Sequence, residues 1–371
     1  MLDGLRGVAI LAVMAGHLLP IHGFAIAEVA MPVFFGLSGF LITALLLDER
    51  YRWSRISLRH FFKRRALRLL PALVAFLAVW LSVTALFGQH AWMTSVPEGG
   101  PGGPLGLGSA VEGALVTLAY VTNWFIAYHL FSHYIPIGHL WSLSVEEQFY
   151  LGWAPVVAAV SSPAVLLGVA LVLGAGSLAE PFILWHGAAN TARIYFGTDT
   201  RAGAFLFGAA AAMLWRAGAL DRLRRVAGAA CWAIAGVLVV AAVGLSRRAT
   251  PAEYLASWTT TSLAGPAFVV CAVLAPSGAI GRMLSGPAIR YVGKRSYALY
   301  IWHYVFGTWF RSLGLPGVML TVACSFAAAE ASWRLVESRA LARKARLERA
   351  RFPANTPLQA AGAQHLASQR R

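Results

Sequence analysis

Long apolar runs alternate with short polar segments along almost the whole chain. Runs of about 20 residues are long enough for an α-helix to cross the hydrocarbon core of a bilayer. Eleven such runs stand out, at residues 5–22, 27–47, 69–88, 110–127, 143–160, 163–183, 201–217, 227–245, 259–276, 291–311 and 316–336. The pattern predicts an all-α fold, a polytopic bundle of membrane helices.

The positions of Lys and Arg reduce the eleven runs to about ten crossings. With the N-terminus in the cytoplasm, the basic segment Asp48–Arg68 lies inside, as the positive-inside rule requires. A full crossing by 110–127 would then place Arg222, Arg224 and Lys294 outside, together with the basic C-terminus. We therefore predict about ten transmembrane helices, with 110–127 as a re-entrant or interfacial segment and both termini in the cytoplasm.

Composition supports this location. The chain has 371 residues and is 58% hydrophobic but only 12% charged, whereas soluble domains carry roughly 25% charged residues. The net charge of +16 comes from short runs of Lys and Arg between apolar segments, which is typical of cytoplasmic loops rather than of a nucleic-acid surface. We expect a multi-pass protein of the cell membrane, with the lipid bilayer as a partner and no nucleic acid.

Ionisable side chains inside membrane spans are costly, so each one is a candidate for function. Arg6 lies at the cytosolic end of the first span, and His17 lies eleven residues further on, ~16 Å deeper along a helix. Structural explanations exist for both, since Arg6 could anchor the helix at the interface and His17 could be a hydrogen-bonded bundle residue. Together they place a cation at the mouth of the bundle and a titratable base near mid-membrane.

A second group of cations precedes the third span, in FFKRRALRLLP. It serves as a topology signal, yet Arg65 and Arg68 are three residues apart and so share one helix face. Two guanidinium groups on one face can bind phosphate groups bidentately. Coenzyme A carries three phosphates and is cytosolic. A binding site for it is therefore at least as good an interpretation of these arginines as a topology signal.

Two adjacent carboxylates, Glu146 and Glu147, lie near the outer end of the fourth crossing in WSLSVEEQFY. Adjacent residues point to different sides of a helix, so at most one of the two faces a given cavity. We favour Glu146 because it lies a turn beyond Ser142. Its structural alternative is a hydrogen bond to another helix, but acid–base chemistry needs a carboxylate or an imidazole in a shielded site.

Ser142 and four further polar residues are candidates for substrate binding. Tyr297 and His303 project from the ninth crossing, and Asp199 and Arg201 lie at the outer mouth of the sixth. For His303 a structural role is favoured over a catalytic one, and for Asp199 and Arg201 an ion pair that fixes a loop is the default. We expect no metal, because His129 and His133 have metal-ligand spacing but no third ligand nearby.

Taken together, these segments resemble the acyltransferase 3 family of integral-membrane O-acyltransferases. The resemblance runs from start to end of the chain and rests on several motifs in order. They are LDGLRG with an Arg-ten residues-His pattern, FFGLSGFLIT, RRALRLLP, TNW at 122–124, HLWSLSVEEQFYL at 139–151, TDTR at 198–201, SYALYIWH at 296–303 and WRLVE at 333–337.

The resemblance implies transfer of an acyl group, expected to be acetyl, from a coenzyme A thioester to a hydroxyl of a carbohydrate or a glycosylated small molecule. Acyl-CoA is then a co-substrate, and no permanently bound cofactor is expected. Arg6, Arg65 and Arg68 would bind the donor and His17 would carry the chemistry. Residues 1–337 form the membrane acyltransferase domain, and residues 338–371 form a basic cytosolic tail that is partly disordered.

In the mechanism that we expect, acyl-CoA docks from the cytosol and places its thioester near His17. The imidazole acts as a general base on the acceptor hydroxyl or briefly carries the acyl group itself, and Glu146 orients it or balances its charge. The extracytoplasmic esterase-like domain of some family members is not recognised in these residues, so transfer is expected to finish in the membrane domain. The main alternative is a proton-coupled transporter or exporter, which also uses intramembrane His, Glu and Arg but does not need the Arg-x-x-Arg pair. A non-catalytic membrane scaffold is the weakest interpretation, because it leaves the buried titratable groups unexplained.

Overall fold

A computed structural model describes most of the chain. The described residues are 1–19, 25–87, 106–130, 137–185, 191–247, 251–340 and 342. Regular structure within these ranges is helical, without a strand, which confirms the all-α prediction. The predicted tail 338–371 lies outside the described residues from 343 onward.

Apolar runs become helices because only a helix satisfies its own backbone hydrogen bonds within one segment in lipid. The α-helices of the described residues are α1 (Leu2–Leu18), α2 (Ile26–Trp53), α3 (Leu58–Phe87), α4 (Leu107–Leu118), α5 (Thr122–Ala127), α6 (Trp141–Ala159), α7 (Pro163–Leu184), α8 (Thr191–Phe196), α9 (Thr198–Arg216), α10 (Arg224–Arg247), α11 (Pro251–Leu274), α12 (Ala279–Leu284), α13 (Pro287–Lys294), α14 (Ser296–Phe310) and α15 (Gly314–Ser332).

Six helical stretches in the described part of the chain are long and apolar enough to cross a membrane by length and composition. One of them, Ser296–Ala340, combines α14 and α15, which we predict as two separate spans. The multi-pass helical bundle is therefore confirmed, while the number of ten crossings stays a prediction.

The segment 110–127 forms two short helices instead of one span. α4 has 12 residues and ends just before Tyr120, whose left-handed backbone (φ 55°) turns the chain into the six-residue α5. A 12-residue helix is ~18 Å long, well short of the ~30 Å hydrocarbon core. Neither helix can cross alone, which agrees with a re-entrant or interfacial segment.

The predicted basic loop Asp48–Arg68 is almost entirely helical. α2 continues to Trp53 and α3 begins at Leu58, so that only four residues join them. Ser54 adopts a left-handed conformation (φ 54°) at this turn. Charged residues extend both helices beyond the apolar runs because a helix is compatible with polar side chains once its end is in water.

The predicted span 291–311 is also wrong as a single element. α13 ends at Lys294 and α14 begins at Ser296, with a break at the buried Arg295. Its Nε donates to Glu330 in α15 at 2.5 Å. A guanidinium inside the bundle needs such a carboxylate partner, and the break lets it reach one.

α2 lies near the centre of the bundle and packs against α1, α6, α9 and α11. Glycines allow the closest of these approaches. A Cβ atom at Gly39 would overlap the main-chain oxygen of Phe205 in α9, and one at Gly208 would overlap that of Gly36. The GLSGF segment is therefore a helix-crossing surface, as small residues commonly are in membrane bundles.

The beginning of α1 is held equally closely by the polypeptide that leads into α14. A Cβ atom at Gly4 would overlap the main-chain oxygen of Leu284 in α12, and one at Gly293 in α13 would overlap that of Asp3. α1 also packs along α14. The first helix and α14 are thereby fixed relative to each other at their N-terminal ends.

Candidate active site

A cavity of about 200 Å³ opens between α1, α2, α3, α6 and α14. Its walls are mostly apolar, formed by residues such as Val13, Met31, Phe34 and Leu41. Six predicted site residues line it: Arg6, Arg65, Arg68, Ser142, Glu146 and Tyr297. Helices that are far apart in the sequence thus bring the candidate donor arginines and the candidate carboxylate to one space.

Two of the three arginines keep their charge largely available at this cavity. The Arg68 side chain is exposed. Arg6 has only a long ion pair, 3.8 Å, to Asp3 one turn earlier in α1. Both guanidinium groups come from the end of the bundle where α1 begins and the α2–α3 turn lies.

Arg65 has a different environment, although it also lines the cavity. Its Nε donates to Glu147 at 2.6 Å and its Nη2 lies 3.4 Å from Glu146. Its guanidinium covers the ring of Tyr150, 3.4 Å from the centroid. The side chain is only 12% exposed. Arg65 therefore serves as the counter-charge of two carboxylates, a role that the sequence did not indicate.

Glu146 faces the cavity and Glu147 does not line it, in line with the helix geometry expected from the sequence. One oxygen of Glu146 accepts hydrogen bonds from Ser38 (2.8 Å) and from Tyr150, beside Arg65. The predicted pairing of Glu146 with His17 is wrong, because the contacts of its carboxylate go to α2, α3 and α6. Three donors thus surround one oxygen of the Glu146 carboxylate.

A directed chain of hydrogen bonds closes the deep end of the cavity. The Tyr300 hydroxyl donates to the main-chain oxygen of His139, and Ser142 Oγ lies 2.5 Å from the same hydroxyl. Since the tyrosine proton is committed to the carbonyl, the serine proton must point to the tyrosine oxygen. Ser142 therefore offers lone pairs, not a proton, to anything bound there.

His17 and His303 form a direct pair just beyond the cavity. His17 Nδ1 and His303 Nε2 are 2.9 Å apart. The ring planes differ by 3° with centroids 5.2 Å apart. A nitrogen–nitrogen contact this short between nearly parallel rings requires the rings to lie edge to edge in one plane. The two helices are adjacent, and His17 has an imidazole rather than a carboxylate as its partner.

Both histidines continue the helix faces that line the cavity. Arg6, Ile10 and Val13 line it from α1, and His17 follows one turn after Val13, about 6 Å along the helix. On α14, Tyr300 is a lining residue and His303 follows at the next i+3 position. His17 does not itself line the cavity, and its side chain is exposed, whereas His303 is fully buried.

Asp199 and Arg201 lie away from the cavity, and the expected ion pair between them is wrong. Asp199 is bound in a bidentate manner by Arg193, at 2.9 and 2.5 Å. Arg201 is buried, donates to the main-chain oxygen of Tyr195 at 2.8 Å, and packs on the ring of Trp258 at 3.8 Å from the centroid. The two residues are only two positions apart on α9, so their side chains point to different sides of the helix and meet different neighbours.

No group of three His, Cys, Asp or Glu side chains in the described part of the chain is arranged to hold a metal ion. His133, half of the pair with metal-ligand spacing, lies outside the described residues. His129 is described and has a left-handed backbone (φ 53°) at the end of the α5 turn.

Four residues of the site were missed by sequence reasoning: Ser38, His139, Tyr150 and Tyr300. A signal existed for Tyr150, which lies one helical turn after Glu146. Ser38, His139 and Tyr300 gave no comparable signal, because their partners lie on helices that are distant in the sequence.

The chain is similar to known bacterial O-acetyltransferases. Residues 1–333 match the family model described as an acyltransferase domain. The chain is 29% identical over 360 residues to the peptidoglycan O-acetyltransferase OatA of Listeria monocytogenes, which covers 91% of the chain and 55% of that protein. It is 30% identical over 364 residues to the putative peptidoglycan O-acetyltransferase YrhL of Bacillus subtilis (91% and 54%), and 29% identical over 360 residues to the O-acetyltransferase OatA of Staphylococcus aureus (91% and 56%).

The chain therefore spans about half the length of these curated relatives. No solved structure is detectably similar to it. The family model nevertheless covers nine-tenths of the chain, from the first residue to the turn that follows α15. By that match this multi-pass membrane protein belongs to the acyltransferase 3 family.

Proposed function

We propose that this protein is an O-acetyltransferase that moves an acetyl group from acetyl-CoA to a hydroxyl of a cell-envelope carbohydrate. Three similar bacterial proteins carry O-acetyltransferase names, two of them specifying peptidoglycan. The observation that carries the proposal is the cavity, which has cations at one end, apolar walls, and a histidine pair beyond the other end. The family match does not support the transporter alternative.

Donor docking follows from the charges. The phosphates of acetyl-CoA bind Arg6 and Arg68, because charge-assisted bonds from arginine suit phosphate oxygens. The pantetheine arm then follows the apolar walls beside Ile10 and Val13. Arg6 and His17 are ~16 Å apart along α1, a distance that such an extended arm can bridge. In this proposal Arg65 acts on the donor only indirectly, by holding Glu146.

The chemical step uses one nitrogen of His17. The acceptor oxygen attacks the thioester carbon while the imidazole takes the hydroxyl proton. The tetrahedral intermediate collapses, the carbon–sulfur bond breaks, and the imidazolium returns the proton to the leaving sulfur. In the alternative route, the imidazole itself attacks the thioester, the carbon–sulfur bond breaks, and the thiolate of coenzyme A leaves. The acceptor oxygen then attacks the acetyl-imidazolium, its proton passes to the thiolate, and the neutral imidazole is released. Both routes need His17 to present an unprotonated nitrogen.

Acceptor binding is assigned to the deep end of the cavity. The lone pairs of Ser142 can accept a proton from a sugar hydroxyl there. Tyr297 also lines the cavity, but its hydroxyl donates to the main-chain oxygen of Leu69 at 3.1 Å. Asp199 and Arg201 lie elsewhere and take no part in this proposal.

Transfer from [acetyl-14C]acetyl-CoA tests the chemistry. The purified protein in lipid nanodiscs is incubated with this donor and peptidoglycan fragments from a lysozyme digest, and labelled ester is counted. His17→Ala should reduce transfer at least about 100-fold, the lower range for loss of a general base. Undiminished transfer by the folded variant would contradict the assigned role.

Binding of coenzyme A separates the enzyme from a transporter. Arg68→Ala should weaken binding about tenfold to a hundredfold, as expected for loss of a hydrogen bond to a charged group. Arg59→Ala is the matched control, since Arg59 is an exposed arginine of the same helix that does not line the cavity. Saturable binding that only Arg68→Ala weakens supports the donor site, and absence of any binding would exclude it.

A further inference from the structure

We infer that His303 is a positioning residue that fixes the proton of His17 on Nδ1, so that Nε2 is the reacting nitrogen. The inference rests on the proposed function for its chemical meaning. The pairing of the two imidazoles, however, follows from geometry alone.

The main chain of α14 holds the ring of His303. His303 Nδ1 lies 2.8 Å from the main-chain oxygen of Tyr300 and 3.1 Å from that of Leu299. A carbonyl oxygen only accepts, so Nδ1 of His303 must carry a proton. Both acceptors belong to the helix that carries the histidine, which fixes the ring as firmly as the helix itself.

The surroundings of His303 determine its charge state. The ring is fully buried, and within the described residues its hydrogen bonds are to two carbonyl oxygens and His17. None of the carboxylates in the described residues bonds to it. A buried imidazolium without a counter-charge is strongly disfavoured, so His303 is neutral. With the proton on Nδ1, its Nε2 has a lone pair and can only accept.

The direction of the shared bond then follows. Nε2 of His303 accepts at 2.9 Å, so Nδ1 of His17 must donate. The neutral His17 ring is left with its lone pair on Nε2, pointing away from His303. Free histidine prefers the opposite tautomer, with the proton on Nε2. His303 thus reverses the intrinsic preference and exposes the nitrogen that a general base or an acyl carrier needs.

Two aromatic side chains, His139 and Tyr304, pack around the pair of histidines. His139 donates from Nε2 to the same Tyr300 oxygen at 3.1 Å, and its ring stacks on Tyr304 with centroids 4.8 Å apart. Tyr304 meets His17 edge to face at 5.3 Å. Tyr304 contacts His17 through its ring, and it therefore serves as the packing control.

Two substitutions at one position separate the hydrogen bond from the volume. His303→Leu removes the acceptor. His303→Gln keeps one, because its amide oxygen can accept the Nδ1 proton of His17. We expect kcat to fall about tenfold to a hundredfold in His303→Leu, as when the partner that orients a functional histidine is lost. KM for acetyl-CoA should not change, and His303→Gln should recover most of the loss.

Chemical labelling reads the tautomer without acyl transfer. Diethyl pyrocarbonate acylates an unprotonated imidazole nitrogen, and modification of His17 is measured by peptide mass spectrometry on folded protein. His17 should be labelled readily in the wild type and in His303→Gln, and several-fold more slowly in His303→Leu. In the packing control, Tyr304→Leu, which removes the ring that contacts His17 but not the hydrogen bond to His303, labelling of His17 should not become slower than in the wild type.

Specific outcomes would overturn the inference. They are a folded His303→Leu variant with wild-type kcat and labelling, or a folded His303→Gln variant as impaired as His303→Leu. If His303→Leu does not fold, His303→Gln alone decides, since it should keep most of kcat. Full transfer by His17→Ala would instead contradict the proposed function, and the labelling comparison would still report the pairing of the two rings.

Discussion

Two arginines one helical turn apart illustrate how far neighbours can differ at the residue scale. Arg65 is buried against Glu146, Glu147 and the ring of Tyr150, whereas Arg68 is exposed at the cavity. Both belong to one Arg-x-x-Arg motif, yet the first stabilises two carboxylates and the second is available to a ligand. The motif therefore combines a structural charge with a binding charge.

This division predicts opposite effects of substitution. Arg65→Met should lower the free energy of unfolding by about 3–5 kcal/mol, because it leaves Glu146 and Glu147 without their counter-charge. Arg68→Ala should leave stability within about 0.5 kcal/mol of the wild type, as exposed substitutions do, while raising KM for acetyl-CoA. Thermal unfolding in nanodiscs measures the first effect and initial rates measure the second.

A compensating variant checks the cause. Glu147→Gln added to Arg65→Met removes one of the two uncompensated charges and should restore part of the lost stability. Equal stability of the single and double variants would mean that packing on Tyr150, and not charge, accounts for the effect.

At the scale of elements, the central helix α2 depends on glycines at its crossings. Gly39→Ala should destabilise the protein by about 1–3 kcal/mol, because the added methyl group overlaps the main chain of α9 and forces the helices apart. Gly236→Ala in α10 is the matched control, since no heavy atom of the described residues lies within 4 Å of its added methyl group.

The two variants are compared by thermal unfolding and by size-exclusion chromatography. Gly236→Ala should be as stable as the wild type or slightly more stable, given the higher helix propensity of alanine. Similar behaviour of both variants would contradict the proposed importance of the close α2–α9 contact.

On the scale of the whole molecule, the basic segments meet at one end of the bundle. Asp48 at the end of α2 forms an ion pair with Arg216 at the end of α9, and Glu49 forms one with Arg64 in α3. Arg6 reaches the same region through the cavity. From the positive-inside rule, we predict that this end faces the cytoplasm.

Cysteine labelling tests that assignment. In a background in which Cys231, Cys271 and Cys324 are replaced by serine, Arg55→Cys and Arg222→Cys should react with a membrane-impermeant maleimide only after the cells are opened. His129→Cys, beside the short α5, should react in intact cells. Reaction of Arg55→Cys in intact cells would reverse the predicted orientation.

The sequence predicted the helical bundle and six cavity residues because both follow from strong one-dimensional signals. Apolar runs of about 20 residues specify spans, and charges within them are rare enough to stand out. The ends of elements were less accurate, as at Arg295, where the break depends on a carboxylate in α15. The sequence has no local feature that reports such a distant partner.

Partners of individual side chains were the least predictable part of the site. Glu146 was expected near His17, but the tertiary structure brings Arg65 and Ser38 to Glu146 and brings His303 to His17. Helix depth was estimated correctly for the two histidines, since it follows from counting residues. Which helices are neighbours is set by packing, including the glycine contacts of α2, and residue counting does not reveal it.

The close attachment of α1 to α12 and α13 fixes the position of this helix, which sets the distance between Arg6 and His17. Gly4 and Gly293 hold its first turn against neighbouring main chain, so the span from Arg6 to His17 stays close to ~16 Å. Under the proposed function, this length selects donors by the distance between their anionic group and their acyl carbon. Acetyl phosphate, in which the two are adjacent, cannot reach Arg6 and His17 at once. Under the same proposal, deleting or inserting one helical turn between these residues in α1 would change their separation, and coenzyme A would no longer fit.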